Sequence, residues 1–335
     1  MSGGILTVAE CRSGRLVRAS LEVLGAARQL PATVTGGLSA VIVGAEGSLA
    51  TEELGARGAA TVYLIGDAAL AHCTTEVHVR AISSVLTELQ PEMVLLPDSA
   101  YGRDVASRLS ARHNVGLATA CVGLSETPKG QPLAERSVFG GRFIERVTWS
   151  AAPRLATLKA GVFAVPPAGP VRRPTLLRRD VAREARVCVV SVEPSKTSGR
   201  MRPDIEEARV VVAAGRGLGT AERMRLVDEL ADALGAALGA SRAVVDLGWL
   251  DHQHQVGQTG RSVAPELYFA CGISGAIQHL AGIGSARIIV AINHDPEAPI
   301  FGAANYGIVG EVEVILPRLS AALHAMSAEA AGAGE

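Results

Sequence analysis

Over the first hundred residues the apolar positions follow two alternating rhythms. Unbroken aliphatic runs from Ile5 to Val8, Ala40 to Val43, Thr61 to Ile65 and Met93 to Leu96 read as buried strands. Between them, apolar residues recur at helical spacing. Leu21, Leu24, Ala27 and Leu30 mark a helix from Ala19 to Leu30, and Val77, Ala81, Val85 and Leu89 mark one from Val77 to Leu89 that Pro91 stops. Further helical stretches fall around Glu52 to Arg57 and from Arg103 to Arg112. This βαβα order predicts a parallel sheet with right-handed crossovers.

After Ala120 the rhythm changes. Arg136 to Phe143 (with the pair Gly140-Gly141), Val147 to Trp149 and Ala156 to Phe163 read as later strands of the same domain. Val165 to Pro174 is a proline-rich exit, and Val187 to Val192 reads as one more strand. The polar, breaker-rich run Pro194 to Arg202 is a candidate hinge, a surface loop being the alternative. Val210 to Ala214 then restarts the pattern as a strand, followed by a glycine loop from Gly215 to Gly219 and a helix from Thr220 to Leu234 capped by Thr220 or a neighbour. The Ala/Gly tail after Ala328 is expected to fray.

The expected organisation is α/β in two domains, each a mainly parallel sheet flanked by helices, with a Rossmann-like C-terminal one. The boundaries are 1–193, a hinge at 194–203, and 204–335. A chain of 335 residues exceeds one ordinary core of about 100–150 residues, which agrees. With 48% hydrophobic but only 3% aromatic residues, the cores must be built from Ala, Val, Leu and Ile. The net charge of −1 argues against nucleic acid as a partner. The five cysteines (Cys11, Cys73, Cys121, Cys188, Cys271) show neither disulfide nor zinc spacing and read as buried small hydrophobes. No signal peptide, membrane span or Arg-rich presequence is visible, so a cytoplasmic location in a bacterium is expected, or the mitochondrial matrix if the source is eukaryotic.

Chemistry concentrates between Ser241 and His279. There an Arg follows a Ser, a Gly-Gln-Thr-Gly loop follows, and an apolar strand breaks at Gly272 into Ser-Gly-Ala and then Gln-His. Glycine-punctuated polar turns at the ends of apolar runs resemble a nucleotide cradle, with Thr259, Ser274 and Arg242 as directed donors. Arg242 precedes Ala243-Val244-Val245, read as a buried strand, and an ion pair with Asp246 is the alternative to a ligand. Ser274 to His279 reads as a helix N-terminus; a lone His279 could equally be a packed helix residue. The loop GRGLGT at Gly215 lacks the third glycine of a dinucleotide fingerprint, and a tight turn is its alternative. His252 and His254 have no third ligand for a metal. Asn293 ends a strand, where open α/β sheets bind ligands. No nucleophile with its base, paired carboxylates or P-loop is present.

The motifs SRAVVD, QVGQTG, VAPELY and GISGAIQHLAG, with IVAINHDPEAPIF from Ile289 to Phe301, resemble the FAD-binding domain of the electron transfer flavoprotein alpha subunit. The resemblance is dense from Gly215 to Pro317 and looser from Ile5 to Ala164. It implies that Arg216, Ser241 and Ser274 lie at the FAD diphosphate or adenosine side, and Arg242 over the flavin near N5. It further implies that the Thr259 hydroxyl bonds N5, that Val256, Gly257 and Gln258 hold the ring's polar edge, and that His279 donates to flavin O2. Gly275, Ala276, Ile277 and Gln278 belong to the same binding loop, Asn293 would touch ribityl or phosphate, and Glu311 with Val312 the adenosine end. His294 replaces a Lys of the family, Asn305 stands where Asp is usual, and Glu311 where Asp is frequent.

What the family resemblance implies is a non-enzymatic electron carrier with one FAD. It would pair with a beta subunit that binds AMP and packs against both halves of the chain, the N-terminal domain being its partner-contact domain, while the FAD domain swings about the hinge. Its donors would be flavoprotein dehydrogenases, typically acyl-CoA dehydrogenases, and its acceptor a membrane quinone oxidoreductase of the respiratory chain. The alternatives are a bifurcating version using NADH and a second flavin, or a non-redox adenine-nucleotide-binding regulatory protein. An NAD(P)-dependent dehydrogenase is disfavoured by the missing glycine fingerprint.

Overall fold

In the computed structural model all five residues of β1 (Ile5–Ala9) are buried, as an unbroken aliphatic strand requires when helices cover both faces of a sheet. The structure describes residues 3–12, 14–30, 37–44, 48–66, 70, 74–139, 143–169, 173–182, 186–187, 189–191 and 202–332. The chain divides into two units, Met1–Lys196 and Thr197–Glu335.

In the first unit β1 is followed by a small antiparallel pair, β2 (Cys11–Arg12) and β3 (Arg15–Leu16), and then by α1 (Arg18–Gln29). There follow β4 (Leu38–Val43), α2 (Ser48–Ala56), β5 (Thr61–Ile65), α3 (Thr75–Leu89), β6 (Met93–Pro97) and α4 (Ala100–His113). The remaining strands are β7 (Leu117–Glu126), β8 (Pro132–Val138), β9 (Phe143–Thr148), β10 (Arg154–Leu158) and β11 (Thr175–Arg178). They form one nine-stranded sheet in the order β11-β5-β4-β1-β6-β10-β7-β8-β9. Pairing is parallel from β11 through β7, and β7-β8-β9 is an antiparallel meander.

Several expectations need correction here. The run from Arg136 to Phe143 is two strands: β8 ends at Val138 and β9 begins at Phe143, while Gly140, Gly141 and Arg142 lie outside the described residues. The segment expected from Ala156 to Phe163 is strand only as β10, which ends at Leu158. β7 was not expected, because a half-exposed strand on the meander side lacks a continuous apolar run. β11 also went unexpected; its four residues are strand because they extend the ladder beside β5. The described part of the run from Val187 to Val192 is not strand, and Val190 is fully in solvent; Cys188 and Val192 lie outside the described residues. The candidate hinge likewise lies outside them through residue 201. Arg202 belongs to the second unit, where it pairs with Asp228 and Asp232 at 3.1 and 2.6 Å.

The second unit carries β12 (Val210–Ala214), α5 (Met224–Leu234), β13 (Ala237–Ala240), α6 (Arg242–Asp246), β14 (Leu267–Cys271), α7 (Ile277–Ile283), β15 (Ile288–Asn293), β16 (Tyr306–Val309) and α8 (Val312–Gly332). All five strands are parallel, in the order β13-β12-β14-β15-β16. One face of the sheet packs Val212, Ala214, Phe269 and Cys271 against α5 and α8 through Val227, Leu230 and Leu316. The other buries Val211, Ala213, Tyr268 and Ile289 with Val256 and Ile283.

Here too three readings change. Thr220 makes no side-chain cap; a short 3-10 turn over Ala221–Arg223 precedes α5. Ala243-Val244-Val245 is helix, because β13 already ends at Ala240 and Ser241 turns the chain. The C-terminal helix continues to Gly332 instead of fraying after Ala328. Of the cysteines, Cys121 and Cys271 are buried and Cys11 is partly so; burial pushes the Cys271 thiol up to about 12, so it behaves as an inert hydrophobe. Cys73 lies outside the described residues. Among the described residues no helix is long and apolar enough to cross a membrane.

Asn305 has a structural task. Its Oδ1 accepts the Ile289 backbone N–H at 2.8 Å, tying the loop before β16 to β15. Asn305→Ala should therefore lower stability by about 1 kcal/mol, while Asn305→Asp, which keeps the acceptor, should stay close to the parent. Urea unfolding of the three proteins decides; equal losses for Ala and Asp would remove this hydrogen bond from the account.

Candidate functional site

The chain leaves β12 toward β13 on one side and returns as β14 on the other, so a topological switch point lies between β12 and β14. Open parallel sheets bind ligands at the carboxyl ends of the strands at such a point. A cavity of about 660 Å³ lies there, within the range of small-ligand sites. It is lined by the segments that follow β12 (Arg216, Gly217), β13 (Ser241 to Ala243), β14 (Gly272 to Ser274, Ala276, Gln278, His279) and β15 (Asn293 to Asp295). Val256 to Thr259 and the pair Ala298-Pro299 complete the wall.

Backbone contacts hold these segments together. Gly217 N–H donates to Gly272 O at 2.9 Å and Gly215 N–H to Cys271 O at 2.8 Å. The segment before the Gly-Gln-Thr-Gly turn is anchored to β13 by Val256 N–H to Ala240 O at 2.9 Å, and the turn to α7 by Gln258 N–H to Gln278 O at 2.8 Å. Gly275 sits at φ +89°, and a Cβ there would run into the backbone of Ile300, whose N–H donates to Ser274 O at 3.0 Å. That packing explains why Gly275 itself does not line the cavity.

The side chains supply donors. Arg216 is exposed, and no described carboxylate pairs with it. Arg242 makes the ion pair with Asp246 at 3.3 Å, but both side chains are more than 60% exposed, so the bond is weak and the guanidinium remains available to a ligand. Gln255, almost fully buried, donates from Nε2 to Thr259 Oγ1 at 3.0 Å. This occupies an acceptor position of the hydroxyl and leaves its proton to be donated elsewhere. Asn293 is committed locally: Nδ2 donates to Ile273 O at 3.0 Å and Oδ1 accepts from Asp295 N–H at 3.0 Å.

The loop after β14 differs from expectation. The helix starts only at Ile277, with Ala276 as its N-cap, so Ser274 to Ala276 form a turn ahead of it. Among the described residues no backbone acceptor takes the N–H groups of Ser274, Gly275 and Ala276. Consecutive free N–H groups in a turn form an anion-binding concavity, which suits a phosphate as well as a helix end would.

His279 is buried, and its Nε2 lies 2.9 Å from the Tyr268 hydroxyl. Burial lowers its pKa to about 4, partly opposed by the Val256 backbone, so the ring is neutral at pH 7. Ile277, Glu311 and Val312 do not line the cavity: Ile277 is exposed at the start of α7, Glu311 precedes α8, and Val312 packs into the core. Sequence reasoning missed Gln255, which ends a polar run and carried no signal, and Tyr268, whose only signal was a hydroxyl inside the apolar run Leu267 to Cys271. His254 Nδ1 bonds Leu238 O at 2.9 Å, and no described cluster of His, Cys, Asp or Glu could hold a metal.

Residues 5–210 match the model of the electron transfer flavoprotein domain, and residues 204–284 that of the electron transfer flavoprotein FAD-binding domain. The chain is 38% identical to the electron transfer flavoprotein subunit alpha of Thermoanaerobacterium thermosaccharolyticum, over 93% of this chain and 94% of that one. It is 37% identical to Protein FixB of Clostridium saccharobutylicum, over 95% of each chain. It is 39% identical to the electron transfer flavoprotein subunit alpha of Mycobacterium leprae, over 94% and 96% of the two chains.

Proposed function

This chain belongs to the electron transfer flavoprotein alpha-subunit family, and from that premise we propose that it holds one FAD at the carboxyl edge of its second sheet as half of a heterodimer. It is an electron carrier, not an enzyme. The beta subunit would bind AMP and dock on the first domain, with 194–203 as the hinge between domains 1–193 and 204–335. The electron donors would be flavoprotein dehydrogenases such as acyl-CoA dehydrogenases, and the acceptor a membrane quinone oxidoreductase, with the complex in the cytoplasm of a bacterial cell.

The observation that supports this reading most is the cavity at the β12/β14 switch point, where free N–H groups, hydroxyls and two arginines converge. The residues fit the group. Ser274 to Ala276 with Arg216 and Ser241 would hold the diphosphate, because bent backbone N–H groups and a guanidinium both complement phosphate oxygens. Arg242, Thr259, Gln258 and His279 would surround the isoalloxazine. FAD, when bound, supplies one-electron acceptance and release at that ring. Arg242 would place positive charge beside it, Thr259 a hydroxyl proton oriented by Gln255, and the Val256–Thr259 turn a cover that excludes water.

The test is to co-express the chain with a smaller neighbouring reading frame and record the spectrum of what copurifies. Visible flavin bands with stoichiometric FAD are expected; a colourless complex sinks the proposal. Direct bleaching by NADH alone would redirect it to the bifurcating version. Arg242→Ala is expected to lower the midpoint potential of the bound FAD by about 60 mV, a tenfold shift in the one-electron equilibrium, since a cation beside the ring favours its reduced form. Arg242→Lys should recover most of the loss, and a potential unchanged in the alanine variant would remove Arg242 from this role.

A further inference from the structure

Tyr268 is placed where packing alone asks for phenylalanine. It is fully buried on β14, among Val256, Val263, Ile283 and Ile289. A hydroxyl left unpaired in such a cluster costs about 1–3 kcal/mol. Its partner among the described residues is His279 Nε2 at 2.9 Å, the two rings lying 6.1 Å apart and inclined at 57°. The other ring nitrogen, Nδ1, is buried and has no hydrogen-bond partner among the described residues.

We propose that Tyr268 is a positioning residue for His279: its O–H donates to Nε2, which fixes the Nδ1–H tautomer and keeps the imidazole neutral in the cavity wall. Three arguments converge. A phenol O–H is a better donor than a neutral imidazole N–H, and an imidazole lone pair is a better acceptor than a phenol oxygen, so the bond runs from Tyr268 to His279. The proton then sits on the other nitrogen, and a Val256 backbone contact to the ring raises its pKa, as a carbonyl facing an N–H does. Finally, an imidazolium has two donors and no acceptor, so protonating His279 would strip the buried Tyr268 O–H of its partner. The low pKa that burial gives His279 is of the same sign.

For FAD bound as proposed above, on which the functional meaning rests, the consequence is specific. Positive charge toward the ring comes from Arg242, and a neutral His279, whose Nε2 is taken by Tyr268, adds none.

The experiment is 15N NMR of the full chain labelled at histidine, with and without added FAD, His279 being assigned by loss of its signals in His279→Asn. The expected wild-type pattern at pH 7 is a neutral ring protonated on Nδ1. Tyr268→Phe, which keeps the packing and removes the hydroxyl, should convert a substantial share of His279 to the Nε2–H tautomer. A wild-type ring protonated on Nε2, or on both nitrogens, overturns the proposal even if the variant does not fold. An unchanged tautomer in a folded Tyr268→Phe overturns it as well. A wild-type chain that shows the Nδ1–H form, loses it on substitution, and binds no FAD would support the assignment to Tyr268 while sinking the functional reading above.

Discussion

Gly275→Ala is expected to destabilise the second unit by about 2 to 6 kcal/mol, whereas Gly302→Ala should leave it nearly unchanged. Two costs add at Gly275. A side chain at φ +89° sits in the left-handed region, worth about 1–3 kcal/mol of strain. The new Cβ also meets the backbone nitrogen and Cα of Ile300, groups that cannot rotate away, which adds about 1–3 kcal/mol of overpacking. Gly302 has open space where its Cβ would be, and no such φ. The loss matters because a domain's whole stability is about 5–15 kcal/mol. Urea unfolding of both variants without cofactor is the check. A Gly275→Ala protein as stable as Gly302→Ala would mean that the contact between the turn at Ser274 and the loop at Pro299 does not hold this wall of the cavity.

Gly275 also shows what could and could not be read in the sequence. The run from Ser241 to His279 announced a ligand site, because polar turns at the ends of apolar strands have few structural uses. The structure does gather Arg216, Ser241, Arg242, Ser274, Gln278, His279 and Asn293 at one cavity with the Gly-Gln-Thr turn. Strands such as β5 and β12 were legible to the residue, since a doubly covered parallel strand is a continuous aliphatic run. What was not legible depends on contacts distant in sequence. β11 is a strand only through β5, more than a hundred residues earlier, and the glycine at 275 is required by Ile300. Ala243-Val244-Val245 was read as a strand because Ala-Val-Val has strand composition, while the turn at Ser241 and the short reach of β13 make it helix. Glu311 and Val312 were carried over from the resemblance, yet they stand outside the cavity, one at the start of α8 and one inside the core.

The last prediction concerns acid. His279 has a folded-state pKa of about 4, set first by burial, against about 6.5 in an unfolded chain. The sign follows from which state binds more protons. Below pH 6.5 the unfolded chain takes up a proton at this residue that the folded chain refuses until about pH 4, so stability falls as pH drops through that window. The full effect, reached near pH 4, is about 3 kcal/mol, since one pKa unit is worth about 1.4 kcal/mol. His78 and His113 are lowered by burial too and act in the same direction, so wild type alone cannot isolate the residue. The measurement is a difference. His279→Gln keeps a polar group near Tyr268 but cannot titrate, and hydrogen exchange of the buried β14 amides reports the stability of the second unit. At pH 7.5 the variant should be the less stable, having lost a fitted ring; between pH 6.5 and 4 the gap should close and then reverse. Parallel curves for the two proteins would mean that His279 is free to protonate in the folded chain, and with that the neutral ring in the cavity wall would have to be abandoned.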